Sequence, residues 1–161
     1  MATVLALRDK PYFSRLRFHF VGDGRLFDET VAPLAGLDNV IVQRRFMRQG
    51  EIAALHRNYG VFLCPTRMDA QGVSRDEAMS SGLVPVTTRI TAVPEFVDDD
   101  SGILAPPEDV QELANAIDRL YSNPELFQQL SKAASARVKQ QSGLDSTIRR
   151  EVALFDRRKA G

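Results

Sequence analysis

The sequence has little of what a metalloprotein, a disulfide scaffold or a nucleic-acid binder needs. Cys64 is the single cysteine among 161 residues, which excludes a disulfide framework and a thiolate metal site. The two histidines, His19 and His56, have no spacing with Cys, Asp or Glu that suggests a metal. Twenty-one basic and twenty-one acidic residues cancel to a net charge of +0. A nucleic-acid binder needs a basic excess to displace counterions, so no nucleic acid is expected as a partner. No apolar run approaches the roughly 20 residues that span a bilayer, so no transmembrane segment is expected. The opening MATVLALRDK lacks the basic start, apolar middle and cleavage site of a secretory signal. These absences imply a cytoplasmic protein.

What is present is an alternation of short apolar runs and amphipathic stretches. RFHFV (17–21), NVIV (39–42), VFLCP (61–65), VPVTT (84–88) and GILAP (102–106) have the composition of strands. VFLCP is a continuous apolar run of the kind found in buried parallel strands. Between them RLFDETVAPLA (25–35) has helical spacing that Pro33 ends, and EIAALHRNY (51–59) puts Ile52, Leu55 and Tyr59 on one stripe. Asp109-x-x-Glu112 predicts a capping box and a helix to about 121, and Asn123-Pro124 caps and opens the next. A last helix is expected over roughly 145–158, within a C-terminal segment 144–161. This order predicts one α/β domain over 1–161 with a Rossmann-like parallel sheet and helices on both faces. Such sheets bind ligands at the carboxyl ends of their strands, where helix N-termini point into the crevice.

Two strand exits run through glycine into helices: VGDG (21–24) and the turn DAQG (69–72). The second opens DAQGVSRDEAMSSGLVPV, in which Asp69 is followed eight positions later by Glu77. Ser74-x-x-Glu77 also has the form of a capping box, in which Glu77 folds back on the Ser74 backbone N–H. That role competes with ligand binding, because a carboxylate held by its own cap is less free to grip anything else. Asp69, taken alone, is an ordinary turn former. Arg67 and Arg75 have the character of solvated surface charges, Cys64 that of a core residue, and His19 that of a partly exposed strand residue. The basic residues Arg149, Arg150, Arg157, Arg158 and Lys159 are expected on a solvated helix face.

The ordered series VGDG, CPT, DAQGVSRDEAM-SSG-PV, VPE, GIL-PP and NPEL, over about residues 17–140, resembles the C-terminal nucleotide-sugar-binding domain of retaining, GT-B fold glycosyltransferases of the family-4 kind. The resemblance implies that Glu77 accepts hydrogen bonds from the ribose hydroxyls of the nucleotide. A carboxylate with two acceptor oxygens suits a vicinal diol. It implies that Asp69 contacts the transferred sugar as the catalytic acid position, and that backbone groups of Gly72, Val73 and Ser74 face the diphosphate and sugar. Gly22 and Gly24 belong to the same donor site, and the base is expected near Gln43–Met47. The partners implied are a nucleotide-sugar donor and a glycan or lipid-linked acceptor, in polysaccharide biosynthesis, with no cofactor and no metal.

The chain departs from that pattern in several places. Asp69 stands where the family usually has Glu, and its carboxylate reaches about 1.5 Å less far. Gln71 stands in place of a frequent aromatic residue, and Thr91-Ala92 in place of a glycine pair. Asp76 places a charge beside the expected phosphate. The family's first strand, with the Arg and Lys that clamp the diphosphate, has no counterpart before Arg17; the segment at TVLAL is expected to be helical instead. The expectation is therefore a donor-binding fragment, inactive alone, that lacks its N-terminal acceptor domain and leaves open strand edges at 18–21 and 61–64. A sugar-nucleotide epimerase or hydrolase on the same architecture and a non-catalytic interaction module are the alternatives.

Overall fold

The computed structural model describes residues 1–158. Five strands form in the expected places: β1 (Phe18–Gly22), β2 (Val40–Arg44), β3 (Val61–Cys64), β4 (Val84–Thr88) and β5 (Ile103–Ala105). Every pairing is parallel. The strands make two sheets, one of order β1-β2 and one of order β3-β4-β5. The single sheet of the sequence reading is thus split between β1 and β3, the two strands whose edges were expected to be open.

Among the described residues eight α-helices surround the strands: α1 (Ala2–Ala6), α2 (Phe27–Val31), α3 (Gln49–His56), α4 (Val73–Ser80), α5 (Val93–Phe96), α6 (Val110–Ser122), α7 (Pro124–Ser142) and α8 (Leu144–Arg158). Their ends follow local chemistry. Pro33 turns the end of α2 into a 3-10 turn at Ala32–Leu34. Asn123 Oδ1 accepts from the Leu126 N–H, with Pro124 in the first turn of α7. Asp109 Oδ1 accepts from the Glu112 N–H at 2.8 Å, but Glu112 turns away to accept from Asn115 Nδ2. Only one half of that expected capping box is therefore made. Gly82, at φ 86°, stops α4: its N–H bonds to Met79 O and the Leu83 N–H to Ala78 O, a glycine stop that other residues reach only with strain.

The core lies on both faces of the β3-β4-β5 sheet. Val84 and Val86 alternate onto one face, with Ile103 and Ala105, and meet Leu113, Ala116 and Leu120 of α6. Leu104 points to the other face, where Met79 of α4 packs with Ala134 and Val138 of α7. Each fully buried aliphatic of this kind stabilises by about 1.5–3 kcal/mol relative to exposure. The β1 strand is less covered: Phe18, like Leu63, packs against a small cluster of Leu7, just after α1, with Ala114 and Ile117 of α6. On α8, Leu144, Ile148, Val152 and Phe155 are exposed, as are Arg149 and Arg150; Lys159 lies outside the described residues. Among the described residues no helix is long and apolar enough to cross a membrane.

Candidate donor site at the carboxyl ends of the strands

A cavity of about 650 Å³ separates the two sheets. Its walls are the facing edges of β1 and β3, and its mouth carries Asp23, Arg45, Phe46, Met47, Ser74 and Glu77. Its lining is mostly apolar, and a few polar groups converge at one end, as in small-molecule sites. Deeper in, His19 Nδ1 meets the Tyr59 hydroxyl at 3.1 Å, while His19 Nε2 is buried without a partner. His56 is buried in the same wall beside Ser81. Removal from water pushes its pKa below the ordinary value, partly offset by the negative charge of Glu77.

The turn before α4 explains how Glu77 reaches this mouth. Gly72 is the residue preceding the helix and sits in the left-handed region at φ 68°. Arg75 and Asp76 N–H groups close onto Gly72 O, and Ser74 is already one residue inside the helix. The Ser74–Glu77 capping box therefore does not form. Glu77 Oε1 instead accepts from Gln49 Nε2 of α3 at 3.1 Å, and its carboxylate stays half-exposed at the cavity mouth. Val73 and Ser74, in the first turn, carry N–H groups that have no intrahelical acceptor.

The structure gathers some of the expected site residues and separates others. Glu77, Ser74 and Gly22 line the one cavity. Gly22 also borders a shallower depression with Gly24, Asp23 and Phe27. Asp69, Gly72 and Val73 lie at the start of α4, outside the lining of the large cavity. Of the expected base region, Arg45, Phe46 and Met47 reach the mouth. Arg44 does not: it pairs with Asp23 at 2.8 Å and Asp28 at 2.5 Å. Arg45 is paired as well, with Glu51 at 2.7 Å.

Asp69 is fixed from two sides. Thr91 Oγ1 donates to Asp69 O at 2.6 Å and accepts from the Asp69 N–H at 3.2 Å. Thr91 does this at φ 44°, a costly conformation for a β-branched residue. The departure from a glycine pair noted in the sequence thus falls on a backbone that suits glycine. On its other side Asp69 faces Arg75. Arg75 corrects the sequence reading: it is not a solvated charge but 2% exposed, and it pairs with Asp76 at 3.0 Å. Arg67 is the surface residue expected, 85% exposed and paired with Glu108. Cys64, at the end of β3, is half-buried, and burial pushes its thiol pKa up.

The sequence reading does not single out Gln49 and takes Arg75 for a surface charge. The signal for Arg75 was its spacing: positions 75, 78 and 79 share the buried face of α4. Gln49 has no local signal, because its partner is 28 positions away.

Parallel strands with helices on both sides define a Rossmann-like α/β fold. Residues 2–123 match the family described as Glycosyl transferases group 1, and the chain belongs to that family. It is 27% identical over 122 residues to a sulfoquinovosyl transferase of Arabidopsis thaliana, covering 73% of this chain and 24% of that protein. The chain thus spans about a quarter of that relative's length. Among solved structures it is similar to the C-terminal domain of a glycosyl transferase group 1 family protein (LpcC) from Francisella tularensis, with 25% identity and a TM-score of 0.70 over 88% of this chain and 75% of that one. It also shares the fold of the Anabaena protein HepE, solved in complex with UDP and glucose, with a TM-score of 0.78 at 20% identity over 96% of this chain and 43% of that one. The neighbours establish the GT-B, Rossmann-like fold.

Proposed function

We propose that this chain is the donor-binding part of a retaining glycosyltransferase, which passes a sugar from a nucleoside diphosphate to a glycan or lipid-linked acceptor. The observation that carries the reading is the freedom of Glu77. Its carboxylate is not held by the helix cap, is oriented by Gln49, and stands at the mouth of a cavity at the strand ends. In this reading Glu77 accepts from the two ribose hydroxyls. The base lies against Phe46 and Met47, and the diphosphate faces the first turn of α4, with Gly22 close by and Gly24 at the rim. Asp69 meets the hydroxyls of the sugar. The bond from the anomeric carbon to the diphosphate breaks, a bond to the acceptor's hydroxyl oxygen forms, the hydroxyl proton passes to the departing diphosphate, and the anomeric configuration is kept. No divalent metal takes part.

The test is an amide NMR titration of the chain with UDP and then GDP, in the presence of EDTA. Shifts at Gly22, Gly72 and Glu77 with one nucleotide are expected, and they identify the base. A dispersed spectrum that ignores both would overturn the reading and favour a non-catalytic interaction module. Release of free sugar from a sugar nucleotide without any acceptor would favour a hydrolase.

A further inference from the structure

Arg75 is the largest fully buried side chain among the described residues. Burying a guanidinium is costly unless each of its N–H groups is paired, so its partners show what it is for. Nε and Nη2 donate to Asp76 Oδ1 at 3.2 and 3.0 Å, and Nη2 also donates to Gln71 O. The guanidinium carbon lies 4.8 Å from the centre of the Phe96 ring, a cation–π contact that fixes the plane of the fork. Nη1 alone is buried with no hydrogen-bond partner. Its nearest acid is Asp69, with Oδ2 at 3.6 Å.

One planar cation therefore sits under the whole DAQG turn. It ties Gln71 O to Asp76 and leaves the two N–H groups of Nη1 without a hydrogen-bond partner beside Asp69. Gly72 lies directly over it: a Cβ there would come within 2.7 Å of Arg75 Cζ, Arg75 Nη1 and Asp69 Oδ2. A core residue that only filled space would be Leu or Met, like Met79 on the same face. A five-donor fork with three of its contacts committed is instead a device for setting direction.

We propose that Arg75 is the positioning residue for Asp69. Its free Nη1–H takes the Asp69 carboxylate when the sugar of the donor is bound, and so aims the shorter acid at the sugar hydroxyls. The inference rests on the donor-site reading above. Contacts at such sites are commonly long in the free state and tighten with ligand, and 3.6 Å is a few tenths of an ångström beyond hydrogen-bond range. The neutralisation of Asp76 by the same cation keeps that acid from opposing a diphosphate at the first turn.

The test compares binding of UDP with UDP-glucose, and of GDP with GDP-mannose, by calorimetry on the intact chain. The quantity read is the ratio of the two dissociation constants within the pair that binds. In Arg75→Met the nucleoside diphosphate is expected to bind within about twofold of wild type, while the ratio shifts roughly tenfold against the sugar nucleotide. Asp69→Asn is expected to shift the ratio alike, and the double variant no further, since the two act as one unit. Arg75→Lys, which keeps the charge without the fork, recovers part of the ratio and remains informative where Arg75→Met fails to fold. Equal weakening of diphosphate and sugar nucleotide by either variant, or independent effects of Asp69 and Arg75, would overturn the proposal and leave the donor-site reading intact. If the wild-type chain binds none of the four ligands, the donor-site reading falls and this inference with it.

Discussion

Gln49 Nε2 donates to Glu77 Oε1 at 3.1 Å, which joins the first turn of α3 to the middle of α4 across the mouth of the cavity. The hydrogen bond uses one lone pair of one carboxylate oxygen and leaves the other oxygen for a ligand. Glu77→Ala is expected to weaken binding of the preferred nucleoside diphosphate by tenfold or more, the scale of two charge-assisted hydrogen bonds. Gln49→Ala removes only the orientation and is expected to cost about two- to fivefold. Both are measured by calorimetry. A Gln49 effect as large as that of Glu77 would mean that Gln49 itself touches the ligand.

Thr91 places two opposing effects on one residue. Its hydroxyl makes both hydrogen bonds to the Asp69 backbone, while its own backbone is strained at φ 44°. Thr91→Val keeps the strain and loses the bonds, so urea unfolding is expected to show a loss of about 1–3 kcal/mol. Thr91→Gly loses the bonds and relieves about 1–2 kcal/mol of strain. It is expected to lie much closer to wild type than the valine variant. The reverse order would show that the strain is not real.

Protonation of His56 gives the fold a pH dependence. Burial lowers its pKa in the folded chain below the ordinary value of 6.5, so the unfolded chain takes up the proton first. The stability this group contributes is complete above about pH 6.5 and is lost as pH falls through the lowered folded value. Denaturant unfolding between pH 8 and 5 is expected to show that decline in wild type and a flatter curve in His56→Asn. Glu77→Gln removes the negative charge that partly restores the pKa, so the NMR titration midpoint of His56 is expected to move lower still.

Two glycines that look alike in sequence differ in what surrounds them. Gly72 is left-handed at φ 68° and its absent Cβ would strike Arg75 and Asp69; Gly72→Ala is expected to destabilise by about 2 kcal/mol or more. Gly50, in α3, has open space where a Cβ would go. Gly50→Ala is expected to be neutral or to stabilise by up to ~1 kcal/mol. Thermal melting of the two variants side by side checks both.

The legible parts of this chain were those written locally. Strand runs such as VFLC, the Asn123-Pro124 start of α7 and the Gly82 stop of α4 follow from a few adjacent residues, and the structure places them as read. The start of α4 after the DAQG turn is also read locally and correctly, and the Ser-x-x-Glu pattern is no capping box because Ser74 lies inside the helix. Arg75 lies on the same helical face as Ala78 and Met79, but its charge hid that, since its burial depends on Phe96 and two carboxylates. Gln49 and Thr91 reach Glu77 and Asp69 from 28 and 22 positions away. Pattern along the chain carries no such information.

The division between the β1-β2 and β3-β4-β5 sheets would place the two ends of a nucleotide, bound as proposed, on different sheets. Arg45, Phe46 and Met47 follow directly on β2 of the smaller sheet, and Glu77 belongs to α4, which packs on the larger. A base gripped by one and a ribose gripped by the other would act as a strut, and its binding would stiffen the molecule across a seam that has no strand-to-strand bonds of its own. Part of the free energy of binding would then appear as resistance to shear between the halves. It would be visible as slower amide exchange in β1 and β3 alike.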